Sequence, residues 1–227
     1  MVIINNSIYG MKLFKLFSVL IITLTLISCS SDEKGNEGYS DVYHLPAIPY
    51  NYSNPNFPHT FTSYVFGFDN TPSNNTITDD AVTLGRVLFY DKKMSINNTI
   101  SCASCHKQEL GFSDDVPKSI GFDGTHTFRN TMGFANAGFY GAEKFFWDHR
   151  AATLEDQVLM PIEDEVEMGM TLNELIEKIG ALEYYNPLFE NAFGDTQITN
   201  DRISKALSQF IRSIYSYNSK YDEGIEI

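Results

Sequence analysis

The chain has 227 residues, with 16 basic and 29 acidic side chains and a formal net charge of −13. That balance argues against nucleic acid as a partner, because gripping a phosphate backbone needs a basic face. At 43% hydrophobic and 14% aromatic the chain can bury a core, which excludes wholesale disorder, and three cysteines are too few for a disulfide scaffold.

Met11 to Ser28 reads as an export signal. Lys12 and Lys15 give it a positive start, and Leu16 to Ile27 is mostly apolar. The run is shorter than the ~20 residues needed to cross a bilayer. It ends Leu26-Ile27-Ser28-Cys29, which resembles the lipobox of bacterial lipoproteins; the resemblance implies a lipid on Cys29, with that residue as the mature N-terminus. An ordinary signal or a retained anchor are the alternatives. Translation is expected to begin at Met11. Residues 1–29 read as an address, 30–44 as a polar and acidic tether, and 45–227 as the folded part. That part is expected in the periplasm or cell envelope, tied to a membrane only through the lipid.

From Tyr43 to Asn75 the prolines at 46, 49, 55 and 58 predict extended coil. Thr78 is a candidate N-cap, followed by Ala81, Leu84, Val87 and Leu88 at helical spacing. Asp91 to Asn98 reads as a loop, Ile100 to Lys107 as a short helix, and Leu110 to Ala142 as a long glycine-rich loop suited to binding. Ala152 to Leu159 is predicted helical, ending before Pro161. Thr171 and Glu174 form a capping box, with Leu175, Ile176 and Ile179 on one face and Gly180 as the stop. A last helix starts near Thr199 and carries Ile203, Ala206, Leu207, Phe210, Ile211 and Ile214 as its apolar stripe. The fold class is mainly α with long loops.

The sharpest chemical signal is Cys102-Ala103-Ser104-Cys105-His106. Two thiols three apart lie on one face of a helical turn and can add to the two vinyl groups of one haem. The next residue, His106, is then placed beneath the iron as axial ligand, which is the c-type haem attachment pattern. A structural zinc site would need more Cys or a matched His pair. A thioredoxin-like redox pair would need a βαβ context, which the pattern lacks.

Further segments accompany this motif: Leu84 to Phe89, Gly111 to Asp114, Ser119-Ile120-Gly121, Arg129-Asn130, Phe145 to Ala152 and Pro161 to Met168. Together they resemble the bacterial di-haem cytochrome c peroxidases and their MauG-like relatives. The resemblance runs from about Pro46 to Tyr221 and corresponds to that family's N-terminal, peroxide-site domain. It implies a cytochrome c-like haem fold, haem c as cofactor, hydrogen peroxide as substrate, and a small cytochrome c or cupredoxin as electron donor. It also assigns roles to Gln157, Pro161 and Glu167, which match the family's spacing of Gln, Pro and Glu. Splitting an O–O bond requires moving a proton from one oxygen to the other, which a positioned carboxylate can do. Gln157 would hold the peroxide, and Pro161 would keep that face open. Without the resemblance, Glu167 reads as the end of a solvated acidic run begun by Glu163, Asp164 and Glu165.

The resemblance places Trp147, the sole tryptophan, between two haems as an electron relay; a lone Trp in an aromatic stretch is otherwise core packing. It makes Asn130 a contributor to a calcium site between domains. Two departures stand out. Many members carry an iron-capping His after Ser-Ile-Gly, but here the position is Phe122. His126 is the only nearby substitute, the alternative being an exposed loop residue. The second departure is that no second Cys-x-x-Cys-His follows. A missing second haem domain, hence a truncated chain, is expected; a single-domain protein with a separate donor is the other reading. Two further functions compete. One is a pure electron carrier with Met132 or Met168 as sixth ligand. The other is a MauG-like oxidase of a protein or organic substrate.

Overall fold

The computed structural model describes residues 45–59, 61–142 and 144–225. The export segment, Cys29, the tether and His44 lie outside the described residues.

Coil occupies most of the first stretch, but it is not unbroken. Between Pro58 and Pro72 the chain is free of proline, and one helical turn forms there, α1 (Ser63–Phe66). Thr78 then caps α2 (Asp79–Tyr90) by accepting from the Ala81 N–H at 3.3 Å. Asp79 and Asp80 in the first turn suit the positive end of the helix dipole. Val82, Leu84, Val87, Leu88 and Phe89 are buried. The helix expected over 100–107 is only the single turn α3 (Cys102–Cys105). It is short because His106 leaves helical geometry and the Lys107 N–H turns to the Ser113 carbonyl at 2.8 Å.

Thr153 caps α4 (Leu154–Gln157), and α5 (Met160–Glu163) follows directly. The first of these ends ahead of Pro161 as expected, at Gln157, and a separate helix then takes the proline. Pro161 sits in the first turn of α5, where its missing N–H leaves no bond unmade. The Thr171–Glu174 capping box forms as expected at the start of α6 (Leu172–Gly180). Next comes α7 (Asn186–Phe193), which was not foreseen although Pro187 opens it and Gly194, at φ 86, closes it. Thr199 caps α8 (Asn200–Arg212), and α9 (Lys220–Ile225) ends the described chain. Ile214 lies past the end of α8 yet still packs on the core. Among the described residues there are only isolated β-bridges and no strand, so the fold is mainly α. None of the described helices is long and apolar enough to cross a membrane.

The core is built where α8 lies on α2, with α7 against α2 and α4 against α8. The whole stripe Ile203, Ala206, Leu207, Phe210 and Ile211 is buried. The backbones approach closely at Gly85: a Cβ there would stand 2.0 Å from the Ala206 carbonyl oxygen. A polar network pins the coil to the end of α8. Arg212 is 2% exposed and grips Glu155 at 2.6 and 3.0 Å, while its Nε donates to Asn70 Oδ1 at 2.9 Å. Asn75 donates to Glu155 at 2.6 Å and accepts from Gln209 at 2.8 Å, and Gln209 in turn accepts from the Thr78 N–H.

Candidate functional site

A cavity of about 440 Å³ gathers Cys102, Cys105, His106, Gln157, Pro161 and Glu167 on its wall. That is within the ~300–1,000 Å³ range of ligand and cofactor sites. Phe89, Ile100, Phe134, Leu207 and Ile211 make the apolar lining, and Asn130, Met132, Trp147 and Met168 also border it.

The loop behind His106 positions the imidazole. The Phe112 N–H donates back to the Lys107 carbonyl at 2.9 Å, and Phe112 adopts left-handed backbone, φ 60, uncommon for an aromatic residue. This turns the Phe112 carbonyl toward His106, whose Nδ1 donates to it at 2.9 Å. A carbonyl can only accept, so Nδ1 carries the proton and Nε2 keeps the lone pair for a metal. The ring stacks on Phe134 with centroids 3.9 Å apart. Burial pushes its pKa down to about 4, against the pull of the Phe112 and Met132 carbonyls and of Asp114, so it is neutral at pH 7. Cys102 and Cys105 are unpaired thiols. Burial pushes Cys102 up to about 12 and raises Cys105 as well.

Glu167 comes from a tight turn after α5. The Asp164 side chain accepts the Val166 and Glu167 N–H groups at 2.8 and 3.0 Å, and its carbonyl accepts the Met168 and Gly169 N–H groups. Burial, and then the nearby Asp164 charge, push the Glu167 carboxyl up to about 7, with Arg150 pulling the other way. Glu163 and Glu165 of the same run are exposed, whereas Asp164 and Glu167 border the cavity. Gln157 is 7% exposed at the end of α4.

A second tight loop shapes the rim. Phe145 and Ala151 exchange backbone bonds of 3.0 and 3.4 Å, pinching residues 146–150 outward with Phe146 at φ 68 and His149 at φ 58. Trp147 is 61% exposed there, so it is not core packing, and its Nε1 donates to the Asn130 carbonyl at 3.0 Å. Asp148 bridges Arg129 and Arg150, each at 3.0 Å, and the Arg150 guanidinium lies 3.5 Å over the Phe146 ring. The Asn130 amide nitrogen donates to the Val116 and Pro117 carbonyls. His126 is not brought to the cavity: it is exposed, with Nδ1 3.1 Å from the Lys118 carbonyl. Phe122 does not border the cavity either. Sequence reasoning missed Phe134 and Asp164. The first sits alone in an aperiodic loop; the second was legible only as an acidic residue, although Asp readily accepts from N–H groups two and three residues on.

This donor set fits a c-type haem. Two thiols and a neutral imidazole share one wall, apolar side chains form a slot, and Arg129 and Arg150 stand at the rim for anionic propionates.

The chain matches the family model described as di-haem cytochrome c peroxidase over residues 79–226. It is 37% identical over 152 residues to the methylamine utilization protein MauG of Methylorubrum extorquens, a stretch covering 66% of this chain and 42% of that one. It is 35% identical over 148 residues to the cytochrome c551 peroxidase of Nitrosomonas europaea, covering 65% and 43%. The crystal structure of a MauG-like protein associated with microbial copper homeostasis aligns at TM-score 0.67 and 34% identity, over 76% of this chain and 50% of that one. The diheme peroxidase BthA from Burkholderia thailandensis, at 22% identity and TM-score 0.59, shares the fold. The chain thus spans half or less of the length of these relatives. A match that opens at the first residue of α2 and runs into α9 takes in the whole cavity wall, and the chain belongs to the di-haem cytochrome c peroxidase family, one built on c-type haem.

Proposed function

We propose that this chain is the peroxide-site domain of an exported cytochrome c peroxidase, reducing hydrogen peroxide to water with electrons from a small cytochrome c or cupredoxin. Cys102 and Cys105 would hold the haem through thioethers, and His106 Nε2 would ligate its iron. When bound, the haem would supply a redox-active iron and a path for the two electrons that peroxide reduction consumes. Glu167 accepts a proton from one peroxide oxygen and returns it to the departing one. Gln157 holds the peroxide by its amide, and Pro161 adds no N–H, so that wall stays apolar. Exposed Trp147 takes electrons from a docked donor at the rim. In the same reading Cys29 carries the lipid that keeps the domain at the envelope, and the Asn130 amide oxygen is a calcium ligand.

The observation that carries this reading is the shared wall: a partly buried carboxyl held up to about 7 borders the same cavity as the thiols and imidazole. Glu167→Gln in the haem-loaded protein tests it. Haem content stays unchanged and peroxide reduction falls by ~100-fold or more; turnover at the parent rate removes the assignment. A second reading is a methionine-ligated electron carrier, favoured by Met132 and Met168 on the same wall. A low-spin ferric spectrum inert to peroxide selects it.

A further inference from the structure

The proposed chemistry uses the Glu167 side chain, but two main-chain bonds decide where that side chain goes. Its N–H donates to Asp164 Oδ1 at 3.0 Å, within its own turn. Its carbonyl accepts from the Phe122 N–H at 3.1 Å, which comes from a separate loop. That loop is closed on itself. The Gly121 N–H donates to the Thr125 carbonyl at 2.8 Å, and the Thr127 N–H to the Ser119 carbonyl at 2.9 Å.

The two loops meet more closely than side chains normally allow. A Cβ on Gly121 would stand 1.7 Å from the Val166 carbonyl oxygen, and one on Gly169, at φ 66, would stand 2.4 Å from the Phe122 ring. From the far side, the Phe122 carbonyl accepts from Asn97 Nδ2 at 2.8 Å and Thr99 Oγ1 at 3.3 Å. The N–H, carbonyl and ring of Phe122 are therefore all engaged, while the residue stays out of the cavity wall.

We propose that Phe122 is a positioning residue for Glu167: its ring on Gly169 and its N–H on the Glu167 carbonyl fasten the 119–127 loop to the turn that presents the carboxyl. This rests on Glu167 being the acid/base. Without the Phe122 ring, the turn keeps Asp164, the bonds from the Ile96 N–H to the Met168 carbonyl at 3.0 Å and from the Met170 N–H to the Ile162 carbonyl at 2.9 Å, and a main-chain bond from residue 122 that the ring no longer braces against Gly169. The carboxyl can then relax toward water, and the burial that raises its pKa is lost. The charged groups that act on it are Asp164, which raises it, and Arg150, which lowers it; the Cys102 and Cys105 sulfurs nearby carry no charge once they are thioethers.

The test uses haem-loaded protein labelled with 13C-carboxyl glutamate. The infrared signal of Glu167 is assigned by its loss in Glu167→Gln. Phe122→Ala should keep the covalent haem mass, lower the Glu167 titration midpoint by about one pH unit or more, and cut kcat about tenfold with little change in KM for peroxide. Phe122→Leu, which keeps an apolar group on Gly169, should restore most of both effects. The exposed change Asn97→Ala should move both the same way by less, and it decides the matter if Phe122→Ala does not fold. A parental midpoint and kcat in Phe122→Ala, no shift in Asn97→Ala, or a Leu variant as impaired as the Ala variant overturns the proposal. If Glu167→Gln turns over at the parent rate, the acid/base reading fails separately. The infrared midpoint still reports whether Phe122 sets the carboxyl's surroundings.

Discussion

Replacing Arg212 with methionine removes the bidentate partner of Glu155 while keeping most of the side-chain volume. Arg212 is 2% exposed and the Glu155 side chain 19%, so solvent screens the pair little. Removing one member of a buried ion pair typically destabilises by about 3–5 kcal/mol, because the remaining charge is left unpaired. Asn75 still donates to Glu155 at 2.6 Å, which places the loss at the lower end. Asn70 Oδ1 loses its Arg212 donor, adding about 1 kcal/mol. The expected total is about 3–4 kcal/mol, a large share of the ~5–15 kcal/mol that holds a domain folded. Guanidinium unfolding of the haem-loaded protein measures it as a lower midpoint at unchanged slope. The double variant Arg212→Met with Glu155→Leu, which removes both charges, should recover most of the loss. The pH dependence carries a sign. Burial alone would raise the Glu155 pKa, but Arg212 and Asn75 more than offset it, so the folded-state value lies below the ordinary 4.5. Its stabilisation is therefore present above that value and lost as pH falls through the folded-state one. The Met variant should show less of this acid loss than the parent. A destabilisation under about 1 kcal/mol, or a double variant worse than either single, refutes the reasoning.

Three more outcomes are expected. The rate of peroxide reaction should rise with pH through about 7 as Glu167 gives up its proton and becomes able to accept one, and this step should vanish in Glu167→Gln; stopped-flow rates across pH check it. In the double variant Cys102→Ala with Cys105→Ala the denatured protein should show no haem mass increment, while each single variant retains one thioether. Gly85→Ala should lower the melting temperature by the equivalent of about 1–3 kcal/mol, because the new Cβ meets the Ala206 carbonyl at 2.0 Å and α2 must move off α8.

What the sequence disclosed was local. The caps at Thr78 and Thr171, the start of α8 near Thr199 and the stripe on α8 were legible because each is set by residues within one or two turns. The same local signals were present for α7 in Pro187 and Gly194 but lay beside a stretch without strong periodicity. The haem motif was legible because its spacing is itself the chemistry. Glu167 was legible only through a family resemblance. In the acidic run nothing distinguishes it from Glu163 and Glu165, since its direction is set by Asp164 and by Phe122 from a distant loop. Trp147 illustrates the converse: its composition suggests core, yet the Phe145–Ala151 pinch turns it out to solvent.

The network at the end of α8 also joins parts of the chain that lie far apart in sequence. Thr78 reaches its partner Gln209 across 131 positions, and Asn70 reaches Arg212 across 142. Such distant pairings delay folding, because a long span of chain must close before any bond rewards it. Leu207 and Ile211 of that helix also form one side of the cavity. Until the last long helix is synthesised and docks, the slot beside Cys102 and Cys105 therefore lacks a wall, and the two thiols stay reachable from that side.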